Sequence, residues 1–221
     1  MQRNSIKNKS FKRRPSLKLG RTQTLNLARA ISSSSRGLRS GEKKNIDTTA
    51  VGTVVAGQST AIPVTLNLTT RGTNPTQYVG RSIRMRSLLI RWNGCLAQTS
   101  VAGSGLRMVV VYDKQTNGAL PATTDVFAAD QMSSPMNLAN NRRFEVVMDE
   151  EIPCVGTGGP QAWNIKRYVK LNHVVEFNQV NGGTIADITS GSLIAYFYQA
   201  GTLISANPTN SFYARVRFVD E

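Results

Sequence analysis

The chain has 221 residues, 40% of them hydrophobic and 18% charged, with 27 Lys and Arg against 13 Asp and Glu for a net charge of +14. That length suits one all-β sandwich or barrel, a class that often runs to roughly 200–250 residues. Apolar runs such as Met108–Tyr112 and Leu193–Tyr198 fall well short of the ~20 residues that span a bilayer, so no membrane insertion is expected.

Residues 1–44 hold 13 basic side chains, Arg3, Lys7, Lys9, Lys12, Arg13, Arg14, Lys18, Arg21, Arg29, Arg36, Arg39, Lys43 and Lys44, against the single acid Glu42, a net of +12. Residues 45–221 carry the other 14 basic and 12 acidic groups, a net of +2. A basic arm on a near-neutral body points to a polyanionic partner. The arm, residues 1–45, reads as disordered: like charges, the Ser32–Ser35 run, Gly20, Gly37 and Gly41, and one aromatic, Phe11, leave too little to bury against the entropy of ordering. Thr24–Ile31 could form about two helical turns, but only when docked. An Arg- and Ser-rich transit peptide is a competing reading; the dense Lys12-Arg13-Arg14 cluster fits nucleic-acid contact or recognition by a nuclear import receptor better. No apolar leader follows the basic residues, so secretion is not expected.

From residue 46 to 221 the texture becomes that of strands separated by Gly, Pro, Asn and Ser clusters. Eight strands are predicted, at about 46–55, 60–69, 82–97, 106–113, 142–154, 164–177, 192–199 and 211–219. The fourth is apolar from Met108 to Tyr112, as a central strand covered on both sides should be. In the sixth, Val169, Leu171, Val175 and Phe177 share a face with His173, and in the last Phe212, Ala214, Val216 and Phe218 alternate with Tyr213, Arg215 and Arg217. Asn117-Gly118 is a strong turn signal. Thr124 with Asp125 predicts the one helix of the body, running to about Met132. Eight strands, little helix and irregular loops predict an all-β, eight-stranded jelly-roll sandwich behind a disordered basic arm.

Several segments carry a resemblance. Gly80-Arg81-Ser82-Ile83 leading to Ser87-Leu88, then Arg107–Gly118 (RMVVVYDKQTNG), Pro135-Met136-Asn137-Leu138 running into Arg142-Arg143-Phe144 and Asp149, Arg167–Asn172 (RYVKLN), and Arg215-Val216-Arg217-Phe218 occur in one order. Together they resemble the capsid proteins of small circular single-stranded DNA viruses that encode a rolling-circle replication protein. YDKQTNG is the distinctive piece. The resemblance implies a jelly roll similar to that of satellite tobacco necrosis virus, a closed homo-oligomeric shell of roughly 60 subunits, and an arm that binds a single-stranded DNA genome inside it. It also implies location in the virion and, during assembly, in the host nucleus.

The residues support nucleic-acid binding by the arm independently. Phosphate neutralisation and counterion release need Lys and Arg but no fixed geometry. With one aromatic the arm cannot build a ladder of stacked bases, so sequence-specific readout is not expected. About 60 arms of +12 neutralise on the order of 700 phosphates, which suits a genome of roughly one to three thousand nucleotides. The same arm would serve an RNA cargo, so a satellite RNA virus capsid is an alternative, and a lectin-like jelly-roll binding module with a basic tail is another.

Other candidates read more plainly. Asp149, Glu150 and Glu151 could bind a cation, but alternation lets at most two face one ion, and a solvated strand end or Arg pairing is the simpler reading. His173 reads as a packed or interface histidine, and Cys95 and Cys154 as small buried apolar residues; two cysteines make no disulfide framework, and one histidine excludes a three-His zinc centre. Arg81, Arg84, Arg86 and Arg91, with Arg215 and Arg217, either pair with acids at an interface or line a genome-facing surface. The Gly103–Gly105 and Gly156–Gly159 stretches lack a phosphate-loop ending and read as turns. No cofactor, metal or enzymatic activity is expected.

Overall fold

In a computed structural model, residues 42–51, 61–96, 105–153, 161–200 and 209–221 are described. They fall in one unit, Gly41–Glu221. The predictions made for the arm before residue 42, for Cys154 and for the Gly156–Gly159 turn lie outside the described residues, as does the side chain of Cys95.

Nine strands form, in chain order, β1 (Lys44–Val51), β2 (Ile62–Thr65), β3 (Ser82–Leu96), β4 (Gly105–Asp113), β5 (Phe144–Pro153), β6 (Gln161–Phe177), β7 (Ile188–Ser190), β8 (Ser192–Ala200) and β9 (Thr209–Asp220). A five-stranded sheet runs in the order β1-β9-β3-β6-β7 and a four-stranded sheet in the order β2-β8-β4-β5, every ladder antiparallel. Apart from the β4–β5 and β6–β7 pairs, successive strands alternate between the sheets, the interleaved order of a jelly-roll sandwich. All eight predicted strands are present, and β7 is a ninth that the sequence reading lacked. It is a three-residue addition to the edge of β6, following a 3₁₀ turn at Ile185–Asp187, too short to show a periodicity of its own.

The core lies between the sheets and follows the period-two alternation of each strand. On β9, Phe212, Ala214, Val216 and Phe218 are buried as predicted. On β3 the phase changes partway: Ile83 and Met85 face inward, then Leu88, Ile90 and Trp92 do. A bulge causes the change, since the ladders to β6 and β9 both slip between Met85 and Ser87, leaving Arg86 exposed. An aromatic chain ties the sheets together. Trp92 meets Trp163 edge-on at 5.8 Å and crosses to Phe197 on β8 at 5.4 Å, and Phe197 meets Phe212 at 5.0 Å.

The two sheets differ on their outer faces. On the four-stranded sheet, Val109, Val111, Ile194, Tyr196 and Tyr198 form a second buried cluster under Val126 and Phe127 from the β4–β5 connection. The helix there, α1, is the four-residue Thr123–Val126 and stops well before Met132. Phe127 is extended and bridges to Met136, and its ring sits edge-on to Tyr196 and Tyr198 at 5.3 and 5.4 Å. Burial of Phe127 therefore overrides the helical propensity of the residues after it. β2 also ends early, at Thr65, because the buried Asn67 side chain takes over the bonding to the next strand. Its amide donates to the Gly191 carbonyl at 3.0 Å and its oxygen accepts from Leu193 N–H at 3.0 Å.

The YDKQTNG segment closes the end of this sheet. Asn117 and Gly118 both have positive φ, 51° and 73°, so the predicted turn forms, and their N–H groups donate to Thr189 and Ile188. Asp113 is fully buried and takes a two-pronged contact from Arg143 at 2.8 Å. This bond raises the Arg143 pKa above its ordinary value. Gly191, which joins β7 to β8 and so crosses between sheets, has φ 87°; a Cβ there would sit 2.2 Å from the Val174 carbonyl oxygen. Gly191→Ala is expected to lower unfolding free energy by about 2–4 kcal/mol, combining positive-φ strain with a backbone clash. Denaturant unfolding followed by the fluorescence of buried Trp92 and Trp163 measures it, and an unchanged midpoint contradicts this account of the crossover.

Candidate nucleic-acid interface

Of the predicted arm residues, Arg3, Lys7, Lys9, Lys12, Arg13, Arg14, Lys18, Arg21, Arg29, Arg36 and Arg39 lie outside the described residues. Lys43 is exposed. Lys44, grouped with the arm in the sequence, is the first residue of β1; it is buried, and its ammonium lies 2.9 Å from Asp220. That charge is engaged inside the body. The described fold begins two residues before the predicted boundary at 46 because β1 pairs with β9 from Lys44 onward, opposite Phe218.

The body carries its own basic surface, on the outer face of the five-stranded sheet. The registers of β9, β3 and β6 set three cross-strand rows on that face. Arg217, Ser87 and Lys170 form the first; Arg215, Leu89 and Tyr168 the second; Tyr213, Arg91 and Lys166 the third. Rows two residues apart are about 6.7 Å apart along the strands, and neighbouring strands lie about 4.8 Å apart. Arg217, Arg91, Lys166, Lys170 and Tyr168 are exposed, Tyr168 with 59% of its surface in water. Arg86 stands exposed at the bulge beside the first row.

Two arginines of this face are paired. Arg84 bonds the Glu221 carboxylate and donates to Asn172 Oδ1 at 3.2 Å. Arg215 grips Asp47 on the neighbouring β1 through two bonds of 2.7 Å and stands 5.6 Å from the Tyr213 ring. Those bonds hold the Asp47 carboxyl below its ordinary value of 3.8, burial opposing them, and hold the Arg215 guanidinium above its own. Among the described residues no carboxylate lies within ion-pair distance of Arg86, Arg91, Lys166, Lys170 or Arg217.

The acidic run behaves differently. Asp149 takes two bonds from Arg107, 2.8 and 2.6 Å, while Glu150, on the other face of β5, takes two from Arg167, 2.5 and 3.1 Å. Arg107 also donates to the carbonyls of Met132 and Ser134, holding the β4–β5 connection against the sheet, and its bond to Asp149 raises its pKa. The neighbouring carboxylates thus point apart, to separate arginines. Among the described residues no group of three metal-ligating side chains converges. His173 is packed: its ring stacks on Tyr112 at 4.2 Å, and Nε2 lies 3.5 Å from Glu145. Tyr112 donates to the Val174 carbonyl at 2.6 Å, and burial pushes its hydroxyl pKa up to about 12.

Sequence reasoning named the arginines of this face but missed Lys166, Lys170 and Tyr168. Their signal is the i, i+2, i+4 spacing on one strand, which places them on one face. Only the register shows that this face adjoins Arg91 and Arg217. Among the described residues no helix is long and apolar enough to cross a membrane.

The strand order defines a jelly-roll sandwich with a basic outer sheet face. No family model matches the sequence. Over 153 residues the chain is 28% identical to the coat protein of Maize white line mosaic Satellite virus, across 67% of this chain and 68% of that protein. This similarity supports a viral capsid protein.

The Asp47–Arg215 pair has a pH signature. A carboxyl with a lowered folded pKa contributes stability that is present above its unfolded value and lost as pH falls through the folded one. Denaturant unfolding of wild type and Asp47→Asn is therefore expected to differ above the ordinary aspartate value of 3.8 and to converge as pH falls progressively below it. A difference that stays constant across that range contradicts the ion pair as its source.

Proposed function

We propose that this chain is a viral coat protein whose jelly-roll body self-assembles into a closed shell of roughly 60 copies and whose basic N-terminal arm binds the packaged single-stranded genome. The observation that carries this reading is the coat-protein similarity over two thirds of the chain, on a body that folds as a jelly roll. The role is structural rather than catalytic. Arm residues Arg3 through Arg39, with Lys43, supply phosphate neutralisation; Lys44 belongs to the body through Asp220. The near-neutral body packs against copies of itself, and symmetric closure limits growth.

The cargo assigned is circular single-stranded DNA, on the resemblance of the YDKQTNG set to capsid proteins of small circular single-stranded DNA viruses. That reading places the protein in the virion and, through the Lys7–Arg14 cluster and a nuclear import receptor, in the host nucleus during assembly. The similarity to a satellite virus coat protein favours a second reading, a satellite-type capsid with RNA cargo.

Expression of the full chain and of a form lacking residues 1–40 tests the proposal. The full chain is expected to yield megadalton particles that protect nucleic acid from external nuclease, and the truncated form to lose that protected load. Digestion of the extracted cargo by DNase or by RNase decides between the two readings. Particles of the truncated form carrying an undiminished load contradict the role given to the arm.

A further inference from the structure

We infer that the outer face of the five-stranded sheet is a second nucleic-acid contact, one that takes the backbone and an unpaired base of a single strand. The inference rests on the proposal that this chain packages nucleic acid and extends it from the arm to a defined surface of the body.

Charge is the first argument. The outer face carries seven of the 14 basic groups of residues 45–221, from Arg84 and Arg86 on β3 to Arg217 on β9, against three carboxylates, Asp47, Glu176 and Glu221. The rest of the body holds the other seven basic groups and nine acids. The body's net +2 is therefore about +4 on one face and −2 elsewhere, a separation that nearly neutral composition conceals.

Pairing is the second. Arg107, Arg143 and Arg167 elsewhere in the body each hold a carboxylate with two bonds. On this face Arg91, Lys166, Lys170 and Arg217 lack such a partner among the described residues, and stand in the two rows that flank the row of Tyr168. Unneutralised cations in rows match a phosphate chain.

The third is Tyr168. Its ring is 59% exposed beside Leu89, in the row between those of Lys166 and Lys170. Exposed aromatic rings set among cations offer a stacking surface to bases, and only an unpaired base presents its face. A duplex would use the charges but not the ring.

The topology excludes the opposite surface. The outer face of the four-stranded sheet is already covered by Val126 and Phe127. β1, to which the arm is covalently joined, belongs to the sheet with the open face. A second copy packed face to face on this surface would place like charge against like charge, which disfavours it as occupant.

The full chain tests the inference, with a fluorescently labelled oligothymidylate of about 20 nucleotides and anisotropy titrations at several salt concentrations. Replacing Arg91, Lys170 and Arg217 by Ala together is expected to reduce the slope of log K against log salt by about 2, near 0.7 for each cation removed. Tyr168→Ala is expected to weaken binding by roughly fivefold or more, while Tyr168→Phe keeps it, because stacking needs the ring and not the hydroxyl. Circular dichroism checks folding, and the single substitution at exposed Tyr168 remains informative if the triple variant does not fold. An unchanged salt slope, or equal affinity of Tyr168→Ala and wild type, overturns the inference. So does a triple variant that changes assembly but not the slope, which would mark the face as a contact between copies. Ala substitution of Lys12, Arg13 and Arg14 reports on the arm separately. Loss there alone leaves packaging by the arm standing and this inference overturned; loss in the sheet variants alone does the reverse; failure of wild type to bind contradicts both.

Discussion

A two-sheet sandwich buries one face of each sheet, and everything else about this molecule depends on what becomes of the two faces left over. The aromatic chain from Trp163 through Trp92 and Phe197 to Phe212 holds the inner faces together. One outer face is closed by the chain's own β4–β5 connection, anchored by Phe127 above Tyr196 and Tyr198 and by Arg107 bonding the carbonyls of Met132 and Ser134. The other outer face stays in water. On that face alternation places mostly charged side chains and tyrosines, with Leu89 among them, and the bulge at Arg86 brings Arg91 to the same face as Arg84.

The bulge shows how local geometry reaches function. If these same residues paired without a bulge at Arg86, the alternation that buries Ile83 and Met85 would continue through Ser87, Leu89 and Arg91, turning Arg91 inward and Leu88, Ile90 and Trp92 outward. Burying an unpaired guanidinium costs several kcal/mol or more. The shift therefore serves two ends, a tryptophan in the core and an arginine at the surface. Ion pairs are then distributed to match. Arg107, Arg143 and Arg167 stitch the body with bidentate carboxylate contacts, while among the described residues Arg86, Arg91, Lys166, Lys170 and Arg217 on the open face have no carboxylate within ion-pair distance.

Much of this was legible before the structure. β9 alternates cleanly between Phe212 and Phe218, and β4 is apolar from Met108 to Tyr112 because both its faces are covered, one by the core and one by Phe127. What escaped was set by contacts between distant segments. β7 has three residues and exists because β6 offers it an edge; α1 is cut short because Phe127 gains more by packing than by continuing a helix. Lys44 looks like an arm residue until pairing with β9 brings Asp220 to its ammonium. Likewise, Lys166, Tyr168 and Lys170 alternate visibly on β6, but their adjacency to Arg91 and Arg217 comes from register, which no single strand encodes.

The body's charge is divided between surfaces, and we propose that this division separates genome contact from packing between copies. A three-dimensional reconstruction of particles assembled from the full chain tests it most directly. The expected result is a closed shell in which the open face of the five-stranded sheet looks into the cavity and the α1 side does not. A shell with that face turned to the outer solvent, or a protein that remains a monodisperse monomer, would contradict it.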